Sequence, residues 1–281
     1  MDRVQTLAQC KALISDNKKR CPKADTNCMM MVGGFEPQIA EGRLFYQVHD
    51  HGLCLYSDEA RYYELFYFWD PQAPFADFRQ DKTVVVGEVS RLGRRDGYIR
   101  QFDEKARAAG FRFFKKNLQI ELLLQDHARQ IAEGCAQSMA RMEREKLRIV
   151  YCREKRQEEQ VLALWYDALD ETDVPLSHAR FMSHPEDSVL CAVNEADQVV
   201  GAYWWGTVKR NAAEARHVVT RADYYRKGIG TALTMFCMKE LLDQGFEFWR
   251  GFVATDNVKS YRMHQKIGCQ ASGTTITQYL L

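Results

Sequence analysis

From residue 147 onward, apolar positions fall into short blocks whose period alternates between two and about 3.6. Residues 147–152 form a compact apolar run that predicts a strand. Val161, Leu164, Trp165 and Leu169 then repeat at helical spacing and predict a helix over 154–170. Residues 183–187 are polar and contain Pro185, which argues against a regular element there. Two apolar runs, 188–193 and 199–208, flank the polar stretch 194–198 and read as a hairpin. Alternation puts Trp204 and Trp205 on opposite faces, one toward the core and one toward the surface, where it could line a pocket. A third strand is expected over 213–220, a helix over 230–244 ended by Gly245, and a further strand over 246–254. The helical crossover makes those two strands parallel. A short helix over 257–267, stopped by Gly268, and a last strand over 272–280 complete the pattern.

The first half is less regular. Residues 3–18 read as a helix, and 43–48 and 62–69 as aromatic-rich strands. Residues 82–90, 96–110 and 111–124 read as strand, helix and strand, echoing the crossover of the second half. A degenerate duplicate of one fold would give that echo. The loop that would correspond to a ligand turn, 91–97, lacks the spacing of two glycines one residue apart, so no cofactor is expected there. Residues 125–146 form an amphipathic helix with Ala128, Ile131, Ala132, Cys135, Met139 and Met142 on one face. The expected organisation is an N-terminal α/β domain over 1–125, a connecting helix over 126–146 and a second domain over 147–281.

The chemistry concentrates at 218–233, where a strand runs through Gly228-Ile229-Gly230 straight into an amphipathic helix. Glycines let the backbone curl tightly and approach a ligand closely. The first amides of a helix lack intrahelical partners and sit at the positive dipole end, which suits a phosphate. Arg226 and Lys227 add positive charge at the same mouth. A P-loop would continue Gly-Lys-Ser/Thr, but Gly230 is followed by Thr231 and Ala232. A dinucleotide fingerprint would need a third glycine where Leu233 stands.

These residues, with the downstream segment 257–269, resemble the GNAT superfamily of acetyl-CoA-dependent acyltransferases. Val218-Val219-Thr220 followed by Tyr225-Arg226-Lys227-Gly228-Ile229-Gly230 resembles the family's motif A. Asn257, Ser260, His264 and Gly268-Cys269 occupy the places of motif B. Tyr225 departs from the usual Gln or Arg, His264 from a tyrosine and Cys269 from a phenylalanine. The resemblance covers 147–281 and implies an α/β (α+β) fold: a mixed central sheet flanked by helices, preceded by a second α/β domain that would be a tandem copy. It implies an N-acetyltransferase. Val218, Val219, Thr220, Tyr225, Arg226, Lys227, Gly228, Ile229, Gly230, Thr231, Asn257 and Ser260 would bind acetyl-CoA, with its pyrophosphate on amides 227–231 and its pantetheine arm along 218–220. The base is left open between Glu214 and His217, which face opposite sides of a strand, with Glu214 favoured. The acid falls on His264, or on Tyr261 one turn earlier. A protein that binds acyl-CoA without turnover, and a transferase with a longer acyl donor, are the competing readings.

Composition narrows the setting. Hydrophobic residues at 46% and charged residues at 27% describe a globular chain, and a net charge of +1 gives no reason to expect nucleic acid or an anionic membrane as a partner. No apolar run approaches the ~20 residues of a membrane span. Nine cysteines without CxxC spacing, and no signal peptide at the start, read as reduced thiols in the cytoplasm. His49 and His51 share a strand face but lack a third ligand, so no metal is expected. The resemblance implies a small-molecule or peptide amine as the acceptor, and a homodimer is an open expectation.

Overall fold

The computed structural model describes residues 1–28, 31–90, 96–183, 187–209 and 211–281. The expected loop over 91–97 and the polar linker over 183–187 fall largely outside the described residues. Two compact units form, one of Met1–Lys116 with Thr274–Leu281 and the other of Asn117–Gly273.

In the first unit, helix α1 (Leu7–Arg20) precedes strands β1 (Leu44–His49), β2 (Gly52–Asp58), β3 (Tyr62–Trp69) and β4 (Thr83–Ser90). β1 to β3 form an antiparallel meander, and β4 pairs parallel to β3. Helix α2 (Asp96–Ala108) links β4 to β5 (Arg112–Leu123). The final residues of the chain return to this unit, with Thr275 opposite Ser90 and Leu280 opposite Val85. Tyr67, Trp69, Phe78, Phe102 and Phe111 pack as one aromatic core. His49 is set edge-on against Trp69 and Phe78 within it.

The second unit carries the glycine turn. Its elements are α3 (Ala128–Arg144), β6 (Arg148–Tyr151), α4 (Lys155–Ala168), the short α5 (Leu176–Ala179), β7 (Asp187–Val193), β8 (Val199–Lys209), β9 (Ala212–Thr220), α6 (Ile229–Asp243), β10 (Phe248–Ala254) and α7 (Val258–Ile267). β6 to β9 pair antiparallel in chain order. β10 is parallel to β9, as the crossover requires, and its other edge pairs with Asn117–Leu123 of β5. The last strand, β11 (Gln270–Leu280), therefore has most of its length in the first unit's sheet.

Helices cover both faces of this sheet, which corrects the expectation for the paired tryptophans. Trp205 packs with Tyr203, Trp249 and the apolar side of α6, while Trp204 packs with Trp165 and Phe181. Both are buried. One point sets how closely α6 approaches the sheet. A Cβ on Gly201 would lie 2.6 Å from Ile229 Cγ2 and 3.3 Å from the Val219 carbonyl oxygen. Ile229 is the first residue of α6, and its β-branched side chain has little rotamer freedom. Gly201→Ala should therefore destabilise by about 1–3 kcal/mol, read as a lower urea midpoint; an unchanged midpoint would mean the helix start is not wedged there.

Candidate functional site

β9 and β10 run parallel only from Ala212↔Phe248 to Ala215↔Gly251, and beyond that register they part. Each keeps its outer neighbour, so the strands diverge without losing the sheet. At the branch point the facing residues are the smallest available, and a Cβ on Gly251 would sit 3.3 Å from that of Ala215. Arg216 is the extra residue of a β-bulge, because Trp204 pairs with His217 while Trp205 pairs with Ala215. The wedge encloses a cleft of about 210 Å³. Its walls include His217, Val218, Asn257, Ser260 and His264 from the residues expected to matter, with Asp173 and Trp249.

The glycine turn adjoins this wedge. A Cβ on Gly230 would fall 3.9 Å from Thr220 Oγ1 and 4.0 Å from Val218 Cγ2. Arg226 and Gly228 both adopt left-handed backbone, at φ 66° and 84°. Gly228 caps α6 with no side-chain hydrogen bond. Among the described residues, the amides of Gly228, Ile229, Gly230 and Thr231 have no protein acceptor. They are the leading donors of a fifteen-residue helix. Arg141, from α3, lies beside them: its guanidinium donates to the Arg226 carbonyl at 2.7 Å and would be 3.0 Å from a Cβ on Gly228. Lys227 pairs with Glu145 at 3.4 Å, and Tyr225 stands exposed next to the turn. Arg141 was not visible as a site residue in the sequence, because it is 85 positions from its partner.

On the opposite wall, the Asn257 side chain caps α7 by accepting from the Ser260 amide at 3.1 Å. His264 is buried at the far end of that turn. Its ring stacks on Trp249 with centroids 5.5 Å apart, and Trp249 in turn donates to the Tyr203 hydroxyl at 2.9 Å. Nδ1 of His264 donates to the Ser260 carbonyl at 2.9 Å. Burial lowers its pKa from the ordinary 6.5, against the smaller opposing pull of the Ser260 carbonyl. At neutral pH the ring is therefore uncharged, with its proton on Nδ1, and burial opposes its taking up a second.

Glu214 and Tyr261 are not among the residues lining the cleft. Glu214 is held by Arg250 at 2.7 Å and Arg216 at 3.4 Å, a cross-strand arrangement set by the Glu214↔Arg250 register. Tyr261 packs against the core beneath α7. The structure instead brings in His178 from α5, whose Nδ1 lies 3.1 Å from Nε2 of His217. Nothing in the spacing of the sequence marks His178. Among the described residues, no group of three or more His, Cys, Asp or Glu side chains could hold a metal ion. No helix among them is long and apolar enough to cross a membrane.

Residues 146–269 match the sequence profile of the acetyltransferase (GNAT) family. No curated protein matches the chain. Among solved structures, a tandem GNAT protein from the clavulanic acid biosynthesis pathway is 15% identical with a TM-score of 0.55, over 82% of this chain and 78% of that one. A GCN5-related N-acetyltransferase from Sphaerobacter thermophilus is 10% identical with a TM-score of 0.55, over 100% and 95%. Another from Kribbella flavida is 12% identical with a TM-score of 0.52, over 90% and 96%. At these identities the likeness is one of fold, and it extends across both units.

The buried imidazole makes a pH prediction. His264 has a folded pKa below its unfolded value of 6.5, so the unfolded chain binds more protons in that range. Its contribution is fully present above pH 6.5 and is lost as pH falls toward the folded value. His264→Phe should therefore give a shallower fall in Tm between pH 7 and pH 5 than the parent; parallel curves would show the ring titrates normally.

Proposed function

Because residues 146–269 form a domain of the GNAT acetyltransferase family, we propose that the chain is an N-acetyltransferase taking an acetyl group from acetyl-CoA to a primary amine. The family supports acyl transfer. One observation carries the finer reading: a row of helix-start amides that, among the described residues, have no protein acceptor opens beside a wedge where the β9–β10 ladder ends at Ala215.

Amides 228–231 would donate hydrogen bonds to the diphosphate of the acyl donor, with Arg141 and Lys227 as neighbouring cations. Hydrogen bonds to a charged acceptor are roughly twice as strong as neutral ones. The α6 dipole adds about 0.3–1 kcal/mol, up to ~2 in partly buried geometry. Among the described residues, no strand pairs with the β10-facing edge of β9 past Ala215, so an extended pantetheine amide chain could take that place. The bulge at Arg216 turns the backbone at the point where a thioester carbonyl would lie. The amine would then meet the thioester within the cleft, whose lining includes Asp173 and His217. Its nitrogen bonds to the acyl carbon as the carbon–sulfur bond breaks.

A second reading keeps the binding and drops the turnover. What favours it is that the residue in the expected acid position is a neutral, buried imidazole. Thiol release from acetyl-CoA over a panel of primary amines separates the two, and comparison with longer acyl-CoAs fixes the donor.

The two glycines of the turn should behave differently. Gly228→Ala places a side chain at φ 84° and against Arg141, costing about 1–2 kcal/mol of stability as well as affinity. Gly230→Ala meets only ordinary contacts inside the protein. It should leave Tm within a degree or two, yet weaken acetyl-CoA binding at least tenfold in calorimetry by holding the diphosphate off the amides. Full affinity in both variants would remove the loop from the site.

A further inference from the structure

The first unit holds a small cavity that the proposed reaction does not use. Its aromatic lining comes from the end of β3, the loop that follows it and helix α2, with Trp69, Phe75 and Phe102 prominent. These rings pack on one another, Trp69 and Phe75 with centroids 6.1 Å apart and Phe75 and Phe102 5.7 Å apart. Asp25, Asp70 and Lys105 line the same cavity. The local chain puts them there. Asp25 pairs with Trp69, Asp70 is the next residue along, and Lys105 lies three positions after Phe102 on one face of α2.

Lys105 is half-buried, and its Nζ donates to the Pro71 carbonyl. An ammonium group carries three donors and is strongly hydrated, so apolar walls favour the neutral amine. Burial accordingly lowers the pKa of Lys105 from the ordinary 10.5, against the smaller opposing pulls of Asp70 and Asp25. A lysine desolvated in an apolar pocket is a better nucleophile at neutral pH than one in open water. The cavity beside it measures about 30 Å³. That is room for about two waters, comparable with an acetyl group.

We propose that Lys105 is a site of Nε-acetylation by uncharged acyl thioesters, with the aromatic cavity receiving the acyl group. Every residue involved lies within Met1–Lys116, so this does not rest on the transferase reading. The ammonium first releases one proton to water. The free amine then bonds to the thioester carbon, and the carbon–sulfur bond breaks with its electron pair leaving on sulfur. The nitrogen's surplus proton goes to the thiolate, which departs as thiol. The new amide keeps one N–H, which continues to donate to the Pro71 carbonyl, and its methyl group lies against the rings. Asp25 and Asp70 repel an anionic donor such as acetyl phosphate, which is why a thioester is the class that fits. Acetylation removes the one cation among the described lining residues and leaves two carboxylates there.

The test treats the full chain with S-acetyl-N-acetylcysteamine, a neutral thioester without nucleotide or diphosphate, and maps acetylation by peptide mass spectrometry at early times. Lys105 should react at least about threefold faster than the exposed Lys11, Lys18 and Lys266. An equal or slower rate would overturn the assignment. With acetyl phosphate the lead of Lys105 should disappear, and a lead that persists would overturn the choice of thioester. Asp70→Asn retains an oxygen to accept from the Gln72 amide but removes a charge that holds the proton on Lys105. It should speed acetylation at Lys105 about two- to threefold and leave Lys11 and Lys18 unchanged. An unmoved rate at Lys105 would mean that the carboxylate does not act on this amine, against the proposed geometry. The parental comparison decides by itself if Asp70→Asn melts early.

Discussion

The separation of two parallel strands after a single pair of small residues organises this site. Ala215 and Gly251 let β9 and β10 meet closely, and one step later the ladder ends. A parallel pair that stops hydrogen bonding must leave backbone donors and acceptors facing a gap, and buried unpaired groups of this kind are costly. Here both strands stay anchored on their far sides, by β8 and by Asn117–Leu123. The gap is therefore stable as a gap, and a ligand that presents amides of its own can complete the ladder.

The rest of the site is arranged around that opening. Gly201 allows α6 to settle against β8, which brings the amides of 228–231 up to the end of β9. Left-handed Arg226 and Gly228 turn the chain into the start of α6. On the other wall, the Asn257 cap starts α7 and the Trp249 stack fixes His264. Two stacked layers of aromatic side chains, Trp249 under one wall and Trp165 with Trp204 under the other, hold both imidazole positions. In the proposed function, donor binding would rest mainly on backbone, and proton handling on side chains.

That division explains what could be read from the sequence. Glycines at 228 and 230, the cap at Asn257 and the period of α6 are local signals, and the glycine turn and α7 both formed where the pattern placed them. β2 escaped notice because it is buried along nearly its whole length, so it shows no alternation of polar and apolar residues. His178 escaped because a four-residue helix has no period to detect. Glu214 looked available as a base until the parallel register set Arg250 directly opposite it. Trp204 and Trp205 were expected to divide between inside and outside, and the covering of both sheet faces buried them both. In each case the missing information was a contact between residues far apart in the chain.

The central claim is that the amides of residues 228–231 hold a diphosphate at the mouth of the wedge. Backbone amide NMR during titration with CoA addresses it directly. The account predicts large downfield proton shifts at Gly228, Ile229, Gly230 and Thr231, saturating together with smaller shifts along 216–220. Saturation elsewhere on the protein with these four amides unmoved would contradict it.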